Sequence, residues 1–199
     1  DIILKNINQK KISKILERYK PDIVINLIAL TNVDLCEKKI KESEKINSGI
    51  VKTISQSINK NKLTKKTFLL HISTDQVYSG KGPHKESSVK PINIYAKTKL
   101  NGEKYVKNIK GCVIRTNFFG KPVNNIKQGI SDWVFHSLKK GKNISVFKNV
   151  QFSPLSINTL CKYIEIIINK KIPGIYNVGS KNGLSKAKFA ISFAKKLNL

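Results

Sequence analysis

Tyr95 and Lys99 stand four positions apart in the segment PINIYAKTKL (91–100). On a helix, residues i and i+4 share a face, so a phenol and an ammonium would sit side by side. An ammonium beside a phenol favours the phenolate and lowers the tyrosine pKa from its ordinary value of about 10. Such a tyrosine is a usable general acid near neutral pH. Spacing alone carries little weight here. With six tyrosines in a chain this rich in lysine, about one Tyr-x-x-x-Lys is expected by chance. Lys97 points to another side of such a helix and is read as solvated.

The context adds weight. The stretch TFLLHIST (67–74) reads as a buried strand and ends in Ser73 and Thr74. A hydroxyl at a strand's carboxyl end, beside a helix beginning near 93, could hydrogen-bond a carbonyl oxygen while Tyr95 supplies a proton. The plainer reading of either residue, a hydroxyl capping a strand end or turn, is the commoner one.

The elements that must position these groups follow from apolar patterning. DIVINLIA (22–29), the stretch 67–74, CVIRT (112–116) and GIYNVG (174–179) read as buried strands. Amphipathic helices are expected over 9–19, 37–60, 93–108, 127–140, 155–170 and 184–197, with Ser156 or Asn158 capping the fifth and Ser185 the last. Residues 79–91, SGKGPHKESSVKP, are the most loop-like stretch. Strands alternating with helices imply an α/β fold with a doubly wound parallel sheet. In such sheets function sits beyond the carboxyl ends of the strands, which singles out ALTNVD, STDQVY and TNFFG.

Composition narrows the class. The 199 residues are enough for one domain with a core, and 40% are apolar. No run approaches the roughly 18 apolar residues of a membrane span, and the first residues lack a signal-peptide layout. The formal charge of +26 invites a nucleic-acid reading. Only Arg18 and Arg115 are arginines, however, and the lysines are spread over the whole length, which favours a solvated lysine surface and no nucleic-acid partner. Cys36, Cys112 and Cys161 are odd in number and far apart, and His71, His84 and His136 show no ligand spacing, so no metal and no disulfide framework is expected. Reduced thiols fit the cytoplasm.

Five stretches, PDIVINLIALTNVDLCE (21–37), HISTDQVYSGKGPHKE (71–86), PINIYAKTKLNGEKYV (91–106), VIRTNFFG (113–120) and GIYNV (174–178), occur in an order that resembles the dTDP-4-dehydrorhamnose reductase family of extended short-chain dehydrogenases/reductases. The resemblance implies a Rossmann-like fold, NADPH or NADH as cofactor and a nucleotide-sugar substrate whose 4-keto group is reduced. It implies a catalytic set of Thr74, Tyr95 and Lys99, with Tyr95 and Lys99 also on the cofactor. Ala29, Leu30, Thr31 and Ser73 match the family's cofactor-side positions. Thr74, Asp75, Asn117 and Phe118 match its substrate side, with plain core packing as the competing reading of Phe118. Asn47 resembles a helix asparagine that supports the site. Gln151 resembles a position in an Asp-Gln segment, although Asn149 and Val150 replace the acidic residue.

The family opens with a strand and a Gly-rich turn that takes the cofactor pyrophosphate. No glycine precedes Gly49 here, and the chain has no methionine. The expectation is a single domain truncated at both ends, with 1–120 as what remains of the cofactor sheet and 121–199 as mostly substrate-side segments plus one returning strand. Such a piece would expose an apolar edge at DIVINLIA. An epimerase or dehydratase of the same superfamily, or a regulatory subunit resembling the partner of methionine adenosyltransferase, are the alternatives. A homodimer is left open.

Overall fold

The computed structural model describes residues 7–63, 66–121 and 129–199. Expected residues 127 and 128 of the fourth helix lie outside the described residues. The chain divides into two compact units, Asp1–Arg115 with Ile166–Asn177, and Thr116–Glu165 with Val178–Leu199.

The first unit is an α/β sheet with helices. Helix α1 (Gln9–Tyr19) starts at Asn8, whose Oδ1 accepts from Lys11 N–H at 2.9 Å, and stops at Lys20 in the left-handed region at φ 41°. Strand β1 (Ile23–Asn26) pairs in parallel with β2 (Phe68–Thr74), Asn26 opposite His71. With β3 (Gly111–Thr116) and β7 (Gly174–Val178) they form one sheet in the order β1-β2-β3-β7. Between β1 and β2 run α2 (Val33–Lys38), α3 (Ile40–Glu44), one π-turn (Lys45–Gly49) and α4 (Ile50–Lys60). Helix α5 (Ile94–Val106) joins β2 to β3.

Leu16 of α1, Val51, Ile54 and Ile58 of α4, Leu69 of β2 and Val113 of β3 make one apolar core. Helix α1 therefore lies on α4, as the i, i+4 pair Ile12 and Leu16 requires. Among the described strands β1 stands at one end of the order; Ile25 in it and Leu27 and Ile28 just after it are exposed.

The second unit holds α6 (Ile130–Lys139) and two short ladders. One pairs β4 (Phe118–Phe119) in parallel with β6 (Leu155–Ser156). The other pairs β5 (Gln151–Phe152) antiparallel with β8 (Leu184–Ser185). Helix α8 (Lys186–Lys196) presents Phe189 to Phe119, Phe152 and Phe193, with ring centroids 5.0–5.7 Å apart. Ser185 caps α8 through Lys188 N–H. Ser156, rather than Asn158, caps α7 (Ile157–Lys170), its Oγ accepting from Thr159 N–H in the first turn.

Three expectations are corrected. The helix expected over 37–60 begins at Val33 and is broken, because Lys39 leaves helical geometry and the π-turn follows. The strand expected over 22–29 ends at Asn26. The helices expected from 155 and 184 each begin two residues later, after a short strand. Among the described residues no helix is long and apolar enough to cross a membrane, and no group of His, Cys, Asp or Glu could hold a metal.

Candidate functional site

The carboxyl end of β2 and the first turns of α5 carry the candidate chemistry. Three hydrogen bonds fix the start of α5. Asn93 Oδ1 accepts from Ala96 N–H at 2.8 Å, Glu37 of α2 accepts from Ile94 N–H at 2.7 Å, and Asn93 Nδ2 donates to Gln76 Oε1 at 3.3 Å. A carboxylate on free amides at a helix N-terminus is favourable in both charge and hydrogen bonding. Tyr95 and Lys99 are thereby placed one turn apart on the buried side of α5, while Lys97 is exposed.

The Thr74 hydroxyl lies near enough to the Tyr95 phenol to favour its ionised form. Thr74 Oγ1 accepts from Gln76 N–H at 3.2 Å and lies 3.4 Å from Asp75 Oδ1. The expected depression of the tyrosine by Lys99 does not occur. Burial pushes the Tyr95 phenol up to about 12, the Thr74 hydroxyl opposing. At neutral pH Tyr95 is thus held as the phenol, which is the form a proton donor needs.

Lys99 is 2% exposed, and its Nζ donates to the Ile72 carbonyl at 2.6 Å and lies 3.5 Å from His71 Nε2. Burial pushes the amine down to about 8, with Glu103 opposing. Burial, and then Lys99 itself, hold His71 well below the usual imidazole range.

Lys99 should make the fold pH-sensitive. The amine falls from 10.5 to about 8 on folding, so across that window the folded state binds fewer protons than the unfolded one. The penalty is fully present below about 8 and is relieved as pH rises toward 10.5. Relative to Lys99→Met, unfolding free energy is expected to rise across that window by at most roughly 1.4 kcal/mol per pH unit. Cys112, pushed up to about 11 by burial, and Tyr95 act in the opposite direction but are common to both proteins. Chemical denaturation at several pH values checks this, and a pH-independent difference would remove Lys99 as a buried titrating group.

Asn47 sits fully buried in the π-turn. Its Oδ1 accepts from Leu30 N–H at 2.8 Å and its Nδ2 donates to Leu30 O at 3.2 Å, Ser43 Oγ at 3.3 Å and Thr98 Oγ1 at 3.0 Å. One amide therefore grips the segment after β1 by both backbone groups and ties it to α5. The extra residue of a π-turn re-aims a side chain in this way, and such turns gather at functional sites. Helix α5 approaches the turn closely. A Cβ on Gly102 would lie 2.6 Å from the Asn47 carbonyl oxygen.

Ser73, expected on the cofactor side, donates to Glu103 Oε1 at 2.5 Å. Glu103 is held by Arg115 through Nε and Nη2, the shortest contact being 2.6 Å. Arg115 Nη1 continues to Tyr78 Oη and the Glu86 carbonyl, both at 2.7 Å. Tyr78 donates to Asn177 Oδ1 at 2.7 Å and stacks on His84. The stretch 79–91 is thus tied to β3 and β7 at its middle.

The first unit brings together Thr74, Tyr95, Lys99 and the Asn47-held segment of half-buried Ala29 and Leu30, followed by exposed Thr31. Asp75 is half-buried beside Thr74. Asn117 and Phe118 belong to the second unit. The Asn117 carbonyl accepts from Leu155 N–H at 2.9 Å, and Phe118 is 48% exposed, against core packing. Gln151 is exposed in β5. Sequence reasoning missed His71, Asn26, Thr98 and Glu103. A polar signal for the first was present, since a histidine interrupts an otherwise apolar strand.

The parallel α/β sheet of the first unit is that of Rossmann-like reductases and epimerases. The chain belongs to the RmlD substrate binding domain family, which matches residues 4–199. It is 27% identical to dTDP-4-dehydrorhamnose reductase of Salmonella typhimurium over 86% of this chain and 58% of that protein. It is 30% identical to the spore coat polysaccharide biosynthesis protein SpsK of Bacillus subtilis, over 96% of this chain and 67% of that protein. The crystal structure of dTDP-4-dehydrorhamnose reductase from Bacillus anthracis in complex with NADP superposes with a TM-score of 0.85 at 27% identity, covering 96% of this chain and 68% of that one. The chain therefore spans about 58% of the length of the Salmonella enzyme.

Proposed function

We propose that the protein carrying this chain reduces the 4-keto group of a nucleotide-linked 6-deoxy sugar with NADPH or NADH. The carrying observation is the Thr74–Tyr95 hydroxyl pair at the end of β2, with Lys99 buried one turn further along α5.

The residues fit the nicotinamide-ribose end of such a cofactor. Lys99 donates to Ile72 O with one hydrogen, and an amine has further donors to offer a ribose hydroxyl. Asn47 holds Leu30 N–H and C=O, so Ala29, Leu30 and Thr31 offer a fixed strip for the cofactor to lie along. The bound cofactor supplies the hydride. Thr74 hydrogen-bonds the substrate oxygen, and Tyr95, kept as a phenol by burial, gives its proton there as negative charge builds. Asp75, Asn117 and Phe118 are read as substrate contacts, and Asn47 as support. Ser73 is read as a cofactor-side residue whose hydroxyl also fixes the end of β2 through Glu103. A cytoplasmic setting goes with this chemistry.

The test is oxidation of NADPH or NADH by the full protein with dTDP-4-keto-6-deoxyhexose, followed by identification of the sugar. A 4-hydroxy product with stoichiometric cofactor oxidation is expected. A product unchanged in redox state would point to an epimerase or dehydratase and overturn the proposal.

A further inference from the structure

Asn26 and His71 belong to none of the roles assigned above, yet they are 2% and 0% exposed and lie directly behind Lys99. They are register partners on β1 and β2, which sets amide and imidazole side by side. Asn26 Oδ1 accepts from Ile28 N–H at 3.2 Å, so the amide turns its NH2 toward the ring, 3.0 Å from Nδ1. An NH2 group only donates. With the amide so turned, Nδ1 is the lone-pair nitrogen and the proton of the neutral ring sits on Nε2, facing Lys99 Nζ at 3.5 Å, while the Asn26 backbone offers the ring an opposing hydrogen bond that favours its charged form. Lys99 already donates to Ile72 O. As an ammonium it would meet the Nε2–H donor to donor, whereas as an amine its lone pair accepts that hydrogen.

Other ionisable groups surround this side of α5. Glu103 favours the ammonium but is engaged by Arg115 and Ser73. Asp75 and Cys36 act on Tyr95. None of these fixes the position of Lys99 Nζ through a hydrogen bond, whereas the His71 ring and the Ile72 carbonyl flank it.

We propose that Asn26 and His71 are a positioning pair for Lys99: the amide sets the imidazole tautomer, and the ring's Nε2–H opposes positive charge on the lysine and, in the amine form, holds its nitrogen beside Ile72. The consequence for turnover rests on the reading of Lys99 given under Proposed function; the tautomer and its effect on Lys99 do not.

The first test is 15N NMR of the His71 ring in the full protein. A lone-pair Nδ1 and a protonated Nε2, unchanged from about pH 5 to 8, are expected. The opposite tautomer, or titration in that range, overturns the proposal. The second test follows the Lys99 side chain by NMR in Asn26→Asp and in the neutral Asn26→Ala. Both release Nδ1 to carry the proton, so Nε2 becomes an acceptor for the ammonium. The proton affinity of Lys99 should rise about tenfold or more, and the pH dependence of kcat should move upward with it while KM for the sugar changes little. Should Asn26→Ala fail to fold, Asn26→Asp and the parent spectrum still decide. An unmoved Lys99 overturns the proposal. If the full protein reduces no sugar while the NMR results hold, the reductase reading fails and the positioning pair stands. If it turns over with the pH profile unmoved in Asn26→Asp, the pair fails and the reading stands.

Discussion

Tyr95→Phe in the full protein is expected to lower turnover of the 4-keto sugar about 10²- to 10⁴-fold, the usual contribution of a positioned acid. Phenylalanine keeps the buried ring and removes the hydroxyl that faces Thr74. Even loss of one neutral hydrogen bond costs only about 1 kcal/mol, so the fold should survive. Cofactor affinity, measured by fluorescence titration, should change far less than kcat, because the substitution leaves Lys99 and the Asn47-held strip in place. Thr74→Val provides the companion measurement. It removes the hydroxyl that opposes the upward push on Tyr95, and should lower kcat while leaving the phenol protonated at neutral pH. An unchanged rate in Tyr95→Phe would remove this residue from the reaction.

Apolar patterning located the sheet because its strands are buried. β2 falls within one residue of the expected 67–74, and β3 within one of 112–116. Helix α1 matches 9–19 at both ends, since Asn8 caps it and Lys20 with Pro21 stops it. The early end of β1 comes from side-chain capture of backbone. β1 was expected to run to Ala29. Asn26 takes the Ile28 amide and Asn47 takes both groups of Leu30, so those residues leave the strand ladder. The helix expected over 37–60 was drawn as one because periodicity does not register an inserted residue, and the π-turn that aims Asn47 is such an insertion.

At the site, the spacing of Tyr95 and Lys99 on one helix was readable, but their electrostatics were not. Pair distance argued for a lowered tyrosine, and burial of both groups, visible only in the fold, reversed the sign. Ser73 and Thr74 could not be separated by sequence. The fold gives Thr74 to Tyr95 and Ser73 to Glu103. The Asn26–His71 contact depends on strand register, which no local pattern states.

Arg115→Leu should be the most destabilising single change among the residues discussed, by about 3–5 kcal/mol, because it leaves the Glu103 carboxylate buried without its cation. Both side chains are under 5% exposed, and the geometry is two-toothed, Nε and Nη2 on the two carboxylate oxygens. The loss reaches beyond the pair. Arg115 also holds Tyr78 and the Glu86 carbonyl, so the 79–91 stretch loses its anchor. Urea unfolding at neutral pH measures the effect. Acidification should narrow the gap, since protonating the orphaned carboxylate removes the buried charge. Glu103→Leu combined with Arg115→Met should recover much of the stability, as apolar replacement of a buried pair often does. It would not recover the site. Ser73 would lose its acceptor at the end of β2, and Lys99 would lose the charge that opposes its depression, leaving the amine neutral at lower pH. A stable double variant with its kcat pH profile shifted downward would separate the ion pair's contribution to folding from its contribution to the charge on Lys99. A double variant as unstable as Arg115→Leu would mean instead that the hydrogen bonds to Ser73, Tyr78 and Glu86, rather than the buried charge, carry the energy.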